Sequence, residues 1–491
     1  MLFFLCLLSP NIMAELYFNA PLTKAYSQVM EMNLSGARTI TKAEFLKNPE
    51  NQLTEFIETY ALFIEIAINQ KEEKYDSFLE KSNLLLTKLE REKEAPLKRY
   101  LMADIYMLRA AIKGLDNSYF SALLEVRTAY QYTTENLKKY PGFTPQLKMA
   151  GLLNIVFGSV PEKYSWMLQM VGLKGSINKG FEQLAHLQAE VLTGKYSWLT
   201  TESLVIYQFC QLNYGNTQEY LTSLSPNMLK LQDSLAKTNA IICYSAVSLY
   251  RHKGDNEKII KLLESNELLK GYQKFYFLDY LAGEAYLYRM DNKSITYFNR
   301  YLQEFRGTHY RKSALQRMSW YYLIFDNQAK FLEYNKRILT EGNDLLDSDK
   351  KALKSAKQGE KPNKYLLKCR LLFDGGYYRE AEAVFLVHNP RVVLKTEKEF
   401  LEYQYRMGRL YDEWNKDEKA IEFYLKTIEN GKNDPSYFAA NSALHLGMLY
   451  ENRNERDKAK RMYSMVLDLD FDEYHNSITQ KARAGLNRLE N

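Results

Sequence analysis

The chain consists of short stretches with helical periodicity, separated by brief polar breaks. Apolar residues recur at positions i, i+3 and i+4 from Leu53 onward, the spacing that places them on one face of an α-helix. Four early segments follow this pattern: 53–68, 74–90, 100–112 and 119–137. Pro141 and Gly142 close the set, because neither residue continues a helix readily. Alternation typical of strands is hard to find, so the pattern predicts an all-α protein.

Residues 147–175 differ from their surroundings, because they are apolar and carry few charges. Each of their two apolar pieces has only about 10 to 14 residues, which suits a buried core helix better than a membrane span. Contact of 147–175 with a membrane surface or a partner is the alternative. We favour the core helix.

The C-terminal half repeats a pattern of small and aromatic side chains. Its three strong copies are Cys369, Leu372, Ala381 and Phe385; Gly408, Tyr411, Ala420 and Tyr424; and Gly447, Tyr450, Ala459 and Tyr463. Equivalent positions in consecutive copies are 39 residues apart. Two helix backbones approach closely only where side chains are small, and adjacent aromatic rings fill the flanking volume. Each copy therefore predicts a pair of packed helices.

Weaker copies precede these three. The first and second positions of these copies are Val247 and Tyr250, Gly283 and Tyr286, and Ser319 and Tyr322. A charged stretch, 340–363, interrupts the repeat. The last segment, 475–491, predicts the solvated end helix that a repeat array requires.

These residues resemble the tetratricopeptide repeat family over roughly 240–491, and more weakly over 53–140. The resemblance implies an α-α superhelix, a solenoid whose concave groove holds a peptide or a protein surface. We expect a helical N-terminal region at 15–235, tetratricopeptide-like repeats at 236–474 and a capping helix at 475–491. The combination of a helical N-terminal half with a tyrosine-rich repeat half is similar to that of exported envelope repeat proteins of Bacteroidota-type bacteria.

Composition and charge agree with short-looped helices and argue against nucleic acid as a partner. The 491 residues include only 22 glycines and 11 prolines, although 39 are tyrosine. The net charge is +6 and the two signs are interspersed. A nucleic-acid-binding protein would concentrate its basic residues on one face.

The first residues indicate export. Residues 1–14 form an apolar run that ends in Ile12-Met13-Ala14, as in a secretory signal peptide cleaved after Ala14, although the usual basic start is missing. A buried N-terminal element is the alternative. Export would place the protein in the periplasm or cell envelope. The cysteines left after cleavage are Cys210, Cys243 and Cys369, too widely spaced for a disulfide framework and best interpreted as small buried side chains.

The chain offers no recognisable catalytic or metal-binding motif. None of its six histidines has a second His or Cys at ligand spacing on one helix face. There is no GxSxG nucleophile elbow, and no cysteine lies in a known nucleophile signature. We therefore expect no metal, no cofactor and no enzymatic activity.

The predicted binding residues are Arg370, Tyr405 and Arg409, which the family resemblance places on the concave side of first helices. Arg370 and Arg409 occupy equivalent positions 39 residues apart, so two guanidinium groups could face one carboxylate. The alternative is a pair of solvated arginines neutralised by Asp374 and Glu413. Three further side chains are expected on the same face: Leu366, Leu444 and Met448.

The leading hypothesis is an exported, non-catalytic scaffold that holds a protein or peptide partner in its groove. A glycan-binding, outer-membrane-associated repeat protein is the alternative, since helical repeats can also carry aromatic platforms. An enzyme built on a helical solenoid is the third reading. The lack of recognisable catalytic motifs disfavours an enzyme.

Overall fold

The computed structural model describes residues 16–161, 166 and 168–490, and every regular element in these residues is a helix. The all-α prediction is confirmed, with no strand in the described ranges. The proposed signal segment, 1–14, lies outside the described residues. None of the described helices is both long and apolar enough to cross a bilayer.

The helices follow one another with short connections. In chain order the α-helices are α1 (Ala20–Met30), α2 (Leu34–Lys47), α3 (Leu53–Asn69), α4 (Tyr75–Arg91), α5 (Pro96–Leu115), α6 (Tyr119–Lys139), α7 (Leu147–Gly158), α8 (Ile177–Leu192), α9 (Thr200–Tyr214), α10 (Thr217–Ser223), α11 (Pro226–Leu235), α12 (Ala240–His252), α13 (Asn256–Ser265), α14 (Phe277–Tyr288), α15 (Lys293–Glu304), α16 (Arg311–Ile324), α17 (Gln328–Thr340), α18 (Asp347–Lys357), α19 (Lys364–Asp374), α20 (Tyr378–Val387), α21 (Pro390–Val393), α22 (Glu397–Glu413), α23 (Asp417–Gly431), α24 (Phe438–Asn452), α25 (Arg456–Asp468) and α26 (His475–Glu490). Single 3₁₀ turns occur at Glu72–Lys74, Thr144–Gln146 and Ser197–Leu199. Residues 166 and 168–170 are also helical.

The described chain forms two compact units. The first unit contains the residues up to 253 together with 257–278 and 303–307. The second unit contains 254–256, 279–302 and the chain from 308 onward. All three strong repeat copies belong to the second unit.

An aromatic cluster forms the centre of the first unit. Tyr26 and Tyr60 meet edge to face with their ring centroids 5.5 Å apart, and Trp198 contacts both Tyr26 and Tyr100 in the same way. The ring of Phe18 stacks on Trp198 at 4.2 Å. Offset and edge-to-face pairs of this kind add about 0.5–1.5 kcal/mol beyond their buried area. This cluster joins α1, α3 and α5 into one core.

A buried ion cluster lies within this core. The ammonium of Lys148 on α7 is 2.6 Å from Asp104 Oδ2 on α5 and 3.0 Å from Glu202 Oε1 on α9. Tyr26 and Tyr60 each donate a 2.8 Å hydrogen bond to Glu202. Burial raises the pKa of Asp104 to about 6, although the charge of Lys148 opposes the rise. One cation therefore serves two buried carboxylates.

The apolar segment 147–175 contains the core helix favoured by its length. Seven residues of α7 are buried, including Leu153, Ile155 and Phe157. Farther along, Trp166 is 56% exposed and Met170 is 76% exposed. The core interpretation is therefore confirmed for α7. Contact of 147–175 with a membrane or a partner stays a prediction.

The predicted small residues lie at close helix contacts in the second unit. A β-carbon added at Gly408 would lie 2.6 Å from Cδ1 of Tyr424, and one at Gly447 would lie 2.7 Å from Cδ1 of Tyr463. In the weaker copy at Gly283 the nearest atom is Cδ1 of a phenylalanine, Phe298, at 2.6 Å. Both backbones can approach only because these positions lack a side chain. Each copy is a helix pair, as predicted.

The repeat is also visible in the turns between paired helices. Six left-handed residues end first helices at equivalent positions: Gly254, Met290, Asp326, Gly376, Asn415 and Asn454. Each follows the second position of its repeat copy by four residues. In the five turns after Gly254, the next amide donates back to the carbonyl of that second position, as from Lys416 to Tyr411 at 2.8 Å and from Glu455 to Tyr450 at 2.8 Å. This hydrogen bond closes a Schellman-type cap.

Both irregular segments of the repeat half form helices of their own. The charged stretch 340–363 contains α18, whose buried Asp349 accepts hydrogen bonds from the amides of Tyr310 and Ser313 at 2.7 and 2.8 Å. Its carboxylate thereby caps the N-terminus of α16. The segment that interrupts the repeat therefore has a structural role. The C-terminal segment is helical over its described part, α26.

Candidate functional site

Two linked helix caps position the helices that carry the predicted binding residues. Asn363 begins α19 by accepting a hydrogen bond from the Tyr365 amide at 3.0 Å. Thr396 and Glu399 form a capping box at the start of α22. The Nδ2 of Asn363 also donates to Glu399 Oε1 at 3.2 Å, which ties the two helix starts together. Such caps satisfy amides that would otherwise lack partners, and they fix where each helix begins.

A pocket of about 430 Å³ lies between α19, α22 and the start of α24. Its charged lining residues are Arg370, Arg406, Arg409, Glu360, Asp374, Glu402 and Glu473. The remaining ones are aromatic, apart from Cys369: Phe373, Tyr405, Tyr437, Phe438 and Tyr474. All three predicted binding residues, Arg370, Tyr405 and Arg409, therefore line one cavity. We call it the arginine pocket.

The two predicted arginines make the ion pairs expected of the alternative interpretation, but they differ in burial. Arg370 Nε lies 3.7 Å from Asp374 Oδ2, and its side chain is 45% exposed. Arg409 Nη2 lies 3.1 Å from Glu413 Oε1, and its side chain is only 22% exposed. The Nε of Arg409 is buried and has no hydrogen-bond acceptor among the described residues. Arg409 is therefore not a freely solvated arginine.

Aromatic rings hold both guanidinium groups in place. The guanidinium carbon of Arg370 lies 5.5 Å from the ring centroid of Trp320, and that of Arg409 lies 5.7 Å from the centroid of Phe373. On the same Trp320 ring, Arg317 approaches to 5.1 Å. A guanidinium that rests on a ring keeps the N–H groups at its edge available for a ligand.

Tyr405 is a buried residue that can donate a hydrogen bond into the pocket. Its ring is packed against Tyr437 at 5.6 Å and Phe438 at 5.2 Å. Its hydroxyl oxygen accepts a 2.7 Å hydrogen bond from Asn441 Nδ2. The phenolic proton is consequently left for another acceptor, such as a ligand carboxylate.

Sequence reasoning missed Arg406, the third arginine of the pocket. Arg406 Nε donates to Glu402 Oε1 at 2.7 Å, and its side chain is 17% exposed. Arg406 precedes Arg409 by three residues on α22, a spacing that places two side chains on neighbouring helix positions. This three-residue spacing could have indicated from the sequence that Arg406 lies beside Arg409. Glu360, Glu473 and Tyr474 come from segments outside these helices, and no periodicity points to them.

Two titratable groups next to the arginines, Cys369 and His445, are kept uncharged by burial. Burial raises the pKa of the Cys369 thiol to about 12, so the thiol stays protonated and unreactive at neutral pH. Burial and the charge of Arg409 lower the pKa of His445 well below its usual value. The neutral imidazole stacks on Tyr424 at 6.0 Å. Both side chains therefore serve packing.

Two residues expected on the concave face are core residues instead. Leu366 and Leu444 are each only 2% exposed and belong to the apolar core of the second unit. The prediction was wrong because the first helix of a pair packs against several neighbouring helices. Only a narrow strip of its surface is left open. The long polar side chains of Arg370 and Arg409 extend out of that strip. Cys210, Cys243 and Cys369 are buried and free, as predicted.

Comparison with known proteins adds no assignment to these observations. A scan against protein-family models found no match, and neither did a search of curated proteins. Within residues 16–161, 166 and 168–490, no group of three or more His, Cys, Asp or Glu side chains is placed to hold a metal ion. The arginine pocket therefore has to be interpreted from its own chemistry.

Proposed function

We propose that the second unit is a non-catalytic binding module that holds a segment of a protein or peptide partner in the arginine pocket. The observation that supports this most is the convergence of Arg370, Tyr405 and Arg409 on one cavity of about 430 Å³. Cavities of roughly 300–1,000 Å³ are the usual size of small ligand sites. Planar guanidinium groups and a phenol suit a carboxylate, because charge-assisted hydrogen bonds are strong and often bidentate.

Membership of the tetratricopeptide class and export to the envelope belong to the same proposal. The close contacts of Gly408 with Tyr424 and of Gly447 with Tyr463 support the class, since these are the positions where that repeat needs small residues. Export rests on the sequence of residues 1–14. A glycan is the alternative ligand, and it is disfavoured by the small numbers of tryptophans and glycines, 4 and 22 in the chain.

The test is a double variant, Arg370→Ala with Arg409→Ala, compared with a matched control. The control is Arg379→Ala with Arg391→Ala, because these arginines are exposed, lie outside the pocket and remove the same charge from the same unit. Partners are captured from envelope extract with each variant and quantified. Each charge-assisted hydrogen bond is worth about 1.5–3 kcal/mol, so the pocket variant should lose at least tenfold in affinity.

Folding must be checked beside binding, because the two arginines are not equally exposed. Loss of Arg370 should leave stability nearly intact, as exposed ion pairs contribute only about 0–1 kcal/mol. Loss of Arg409 also removes a half-buried stem and should cost more. Arg370→Ala alone is thus the cleaner variant. A partner retained equally by the pocket variant and the control refutes the proposal, and binding confined to a glycan array supports the alternative.

A further inference from the structure

The arginine pocket carries charges of both signs, which bears on the kind of ligand that fits it. Among its acidic residues, Asp374 is paired with Arg370 and Glu402 with Arg406. Arg409 finds its partner, Glu413, outside the pocket lining. The other two acidic residues are Glu360 and Glu473. These two carboxylates make no ion pair or hydrogen bond with any residue that the structure describes.

Two of the arginines differ in exposure from the two unpaired acidic residues. The arginines extend from the helices α19 and α22, and two of them are mostly buried, with side chains 17% and 22% exposed. Glu360 and Glu473 are exposed and come from the connections after α18 and before α26. Tyr474 follows Glu473 and is 51% exposed. We call the part lined by the three arginines, with Asp374 and Glu402 beside them, the floor of the pocket, and the exposed Glu360, Glu473 and Tyr474 its rim.

The rim is suited to a cation. Unpaired carboxylates attract an ammonium or guanidinium group, and an exposed aromatic ring adds a cation–π contact. One face of Tyr474 already carries the ammonium of Lys351, 5.4 Å from the ring centroid. Lys351 makes no ion pair with Glu360 or Glu473 among the described residues. The rim can therefore bind a further positive charge.

A ligand with one kind of charge meets repulsion in this pocket. An acidic ligand is attracted by the arginines but repelled by the unpaired carboxylates of Glu360 and Glu473, and a basic ligand is attracted by those carboxylates but repelled by the arginines. Like charges repel each other more strongly at a protein surface than in bulk water, because the effective dielectric constant is lower there. A ligand that carries both charges is attracted by the arginines and by the rim carboxylates at the same time.

We propose that the pocket recognises a dipolar segment, in which a carboxylate reaches Arg370 and Arg409 while a neighbouring ammonium or guanidinium lies between Glu360, Glu473 and Tyr474. In a peptide this is a lysine or arginine a few residues from a free C-terminus or an acidic side chain. The inference rests on the proposed function, because it specifies the ligand of the same pocket.

The experiment measures binding of synthetic peptides to the full chain by calorimetry at low salt. The peptides are acetylated Gly/Ala hexapeptides with one lysine moved through each position and a free C-terminal carboxylate. Glutamine replaces the lysine in one control set, and a C-terminal amide replaces the carboxylate in another. Free lysine is included to separate a small zwitterion from a peptide segment.

The dipolar inference predicts that at least one lysine position binds about fivefold or more tighter than both of its controls, a modest gain because exposed pairs are weak. Glu360→Gln with Glu473→Gln should remove that gain, while the glutamine peptide binds as before or more tightly. The matched control, Glu380→Gln with Glu429→Gln, removes two exposed carboxylates outside the pocket and should change neither.

The other outcomes separate the two proposals. Equal binding of the lysine and glutamine peptides, abolished by Arg370→Ala with Arg409→Ala, overturns the dipolar inference and keeps the proposed function. Binding of free lysine as tight as that of the best peptide replaces the peptide segment with a small zwitterion. No binding by any peptide at millimolar concentration overturns both proposals.

Discussion

Adding a single methyl group at Gly408 tests the packing of the repeat most directly. The new β-carbon would lie 2.6 Å from Cδ1 and 2.8 Å from Cε1 of Tyr424, much closer than β-carbons normally approach a ring. The ring cannot swing away easily, because Tyr424 is fully buried and its hydroxyl donates a 2.8 Å hydrogen bond to Asp412. Gly408→Ala therefore has to shift α22 relative to α23.

The size of the effect follows from two opposing contributions. In an unhindered helix, replacing glycine by alanine stabilises the protein by roughly 0.5–1 kcal/mol, because alanine loses less backbone entropy. Overpacking a filled core costs typically about 1–3 kcal/mol. The difference is a net destabilisation of roughly 0.5–2 kcal/mol at Gly408. Gly114 on α5 is the control, since a β-carbon there meets no atom within 4 Å.

Urea unfolding followed by circular dichroism, with hydrogen exchange to resolve α22 and α23, measures the effect. Gly114→Ala should raise the free energy of unfolding and Gly408→Ala should lower it. When Tyr424→Leu has already removed the ring, the cost at Gly408 should disappear, which a double-mutant cycle detects. The packing argument fails if Gly408→Ala stabilises the protein as much as Gly114→Ala does.

Three further predictions concern the buried ion cluster and the N-terminus. Lys148→Met leaves Asp104 and Glu202 buried without their cation, so the free energy of unfolding, measured in urea at pH 7, should fall by about 3–5 kcal/mol. The loss should be smaller in acid, where the carboxylates are protonated. An unchanged unfolding midpoint would mean that the cation is dispensable. Because the pKa of Asp104 is raised to about 6, the folded state binds more protons than the unfolded state, and the contribution of this group to stability falls as the pH rises from about 4 to 6. Asp104→Asn should remove this part of the pH dependence of the free energy of unfolding. N-terminal sequencing of native protein should return a chain starting at or near Glu15 outside the cytoplasm, and an intact Met1 in a cytoplasmic fraction would refute export.

The periodic parts of the fold could be predicted from the sequence. Helix pairs at the three strong copies follow from the 39-residue spacing of small and aromatic residues, and the contact of Gly408 with Tyr424 agrees with it. The turns at Gly376, Asn415 and Asn454 have the same spacing, and glycine and asparagine are the residues that tolerate left-handed backbone best. Such signals are local, because each depends on residues of one helix pair.

The parts that could not be predicted depend on residues far apart in the chain. Asp104, Lys148 and Glu202 meet although 98 positions separate the first from the last, and no motif connects them. In the arginine pocket, the floor could be predicted because Arg370 and Arg409 share a repeat position. The rim could not, since Glu360 and Glu473 lie in connections whose course depends on the helices around them.

The tyrosines at the last position of two repeat copies have a physical role that connects the scaffold with the pocket. Tyr424 and Tyr463 lie over the glycines of their copies, and each donates its hydroxyl to an acid four residues after that glycine, Asp412 or Glu451. A buried hydroxyl needs such an acceptor. Where the second helix carries phenylalanine instead, the same position can be apolar, as it is at Leu287 in the Gly283 copy.

In the Cys369 copy, the position that needs no acid contributes a side chain to the arginine pocket. Its second helix carries Phe385, which has no hydroxyl to satisfy, and the position four residues after Cys369 is Phe373. The ring of Phe373 lies under the guanidinium of Arg409 in the pocket. An acid at this position would bind Arg409 directly and compete with a ligand carboxylate. The phenylalanine positions the arginine without adding a second carboxylate to the Glu413 that already pairs with it, so the packing choice in one helix pair leaves the other N–H groups of Arg409 to a ligand.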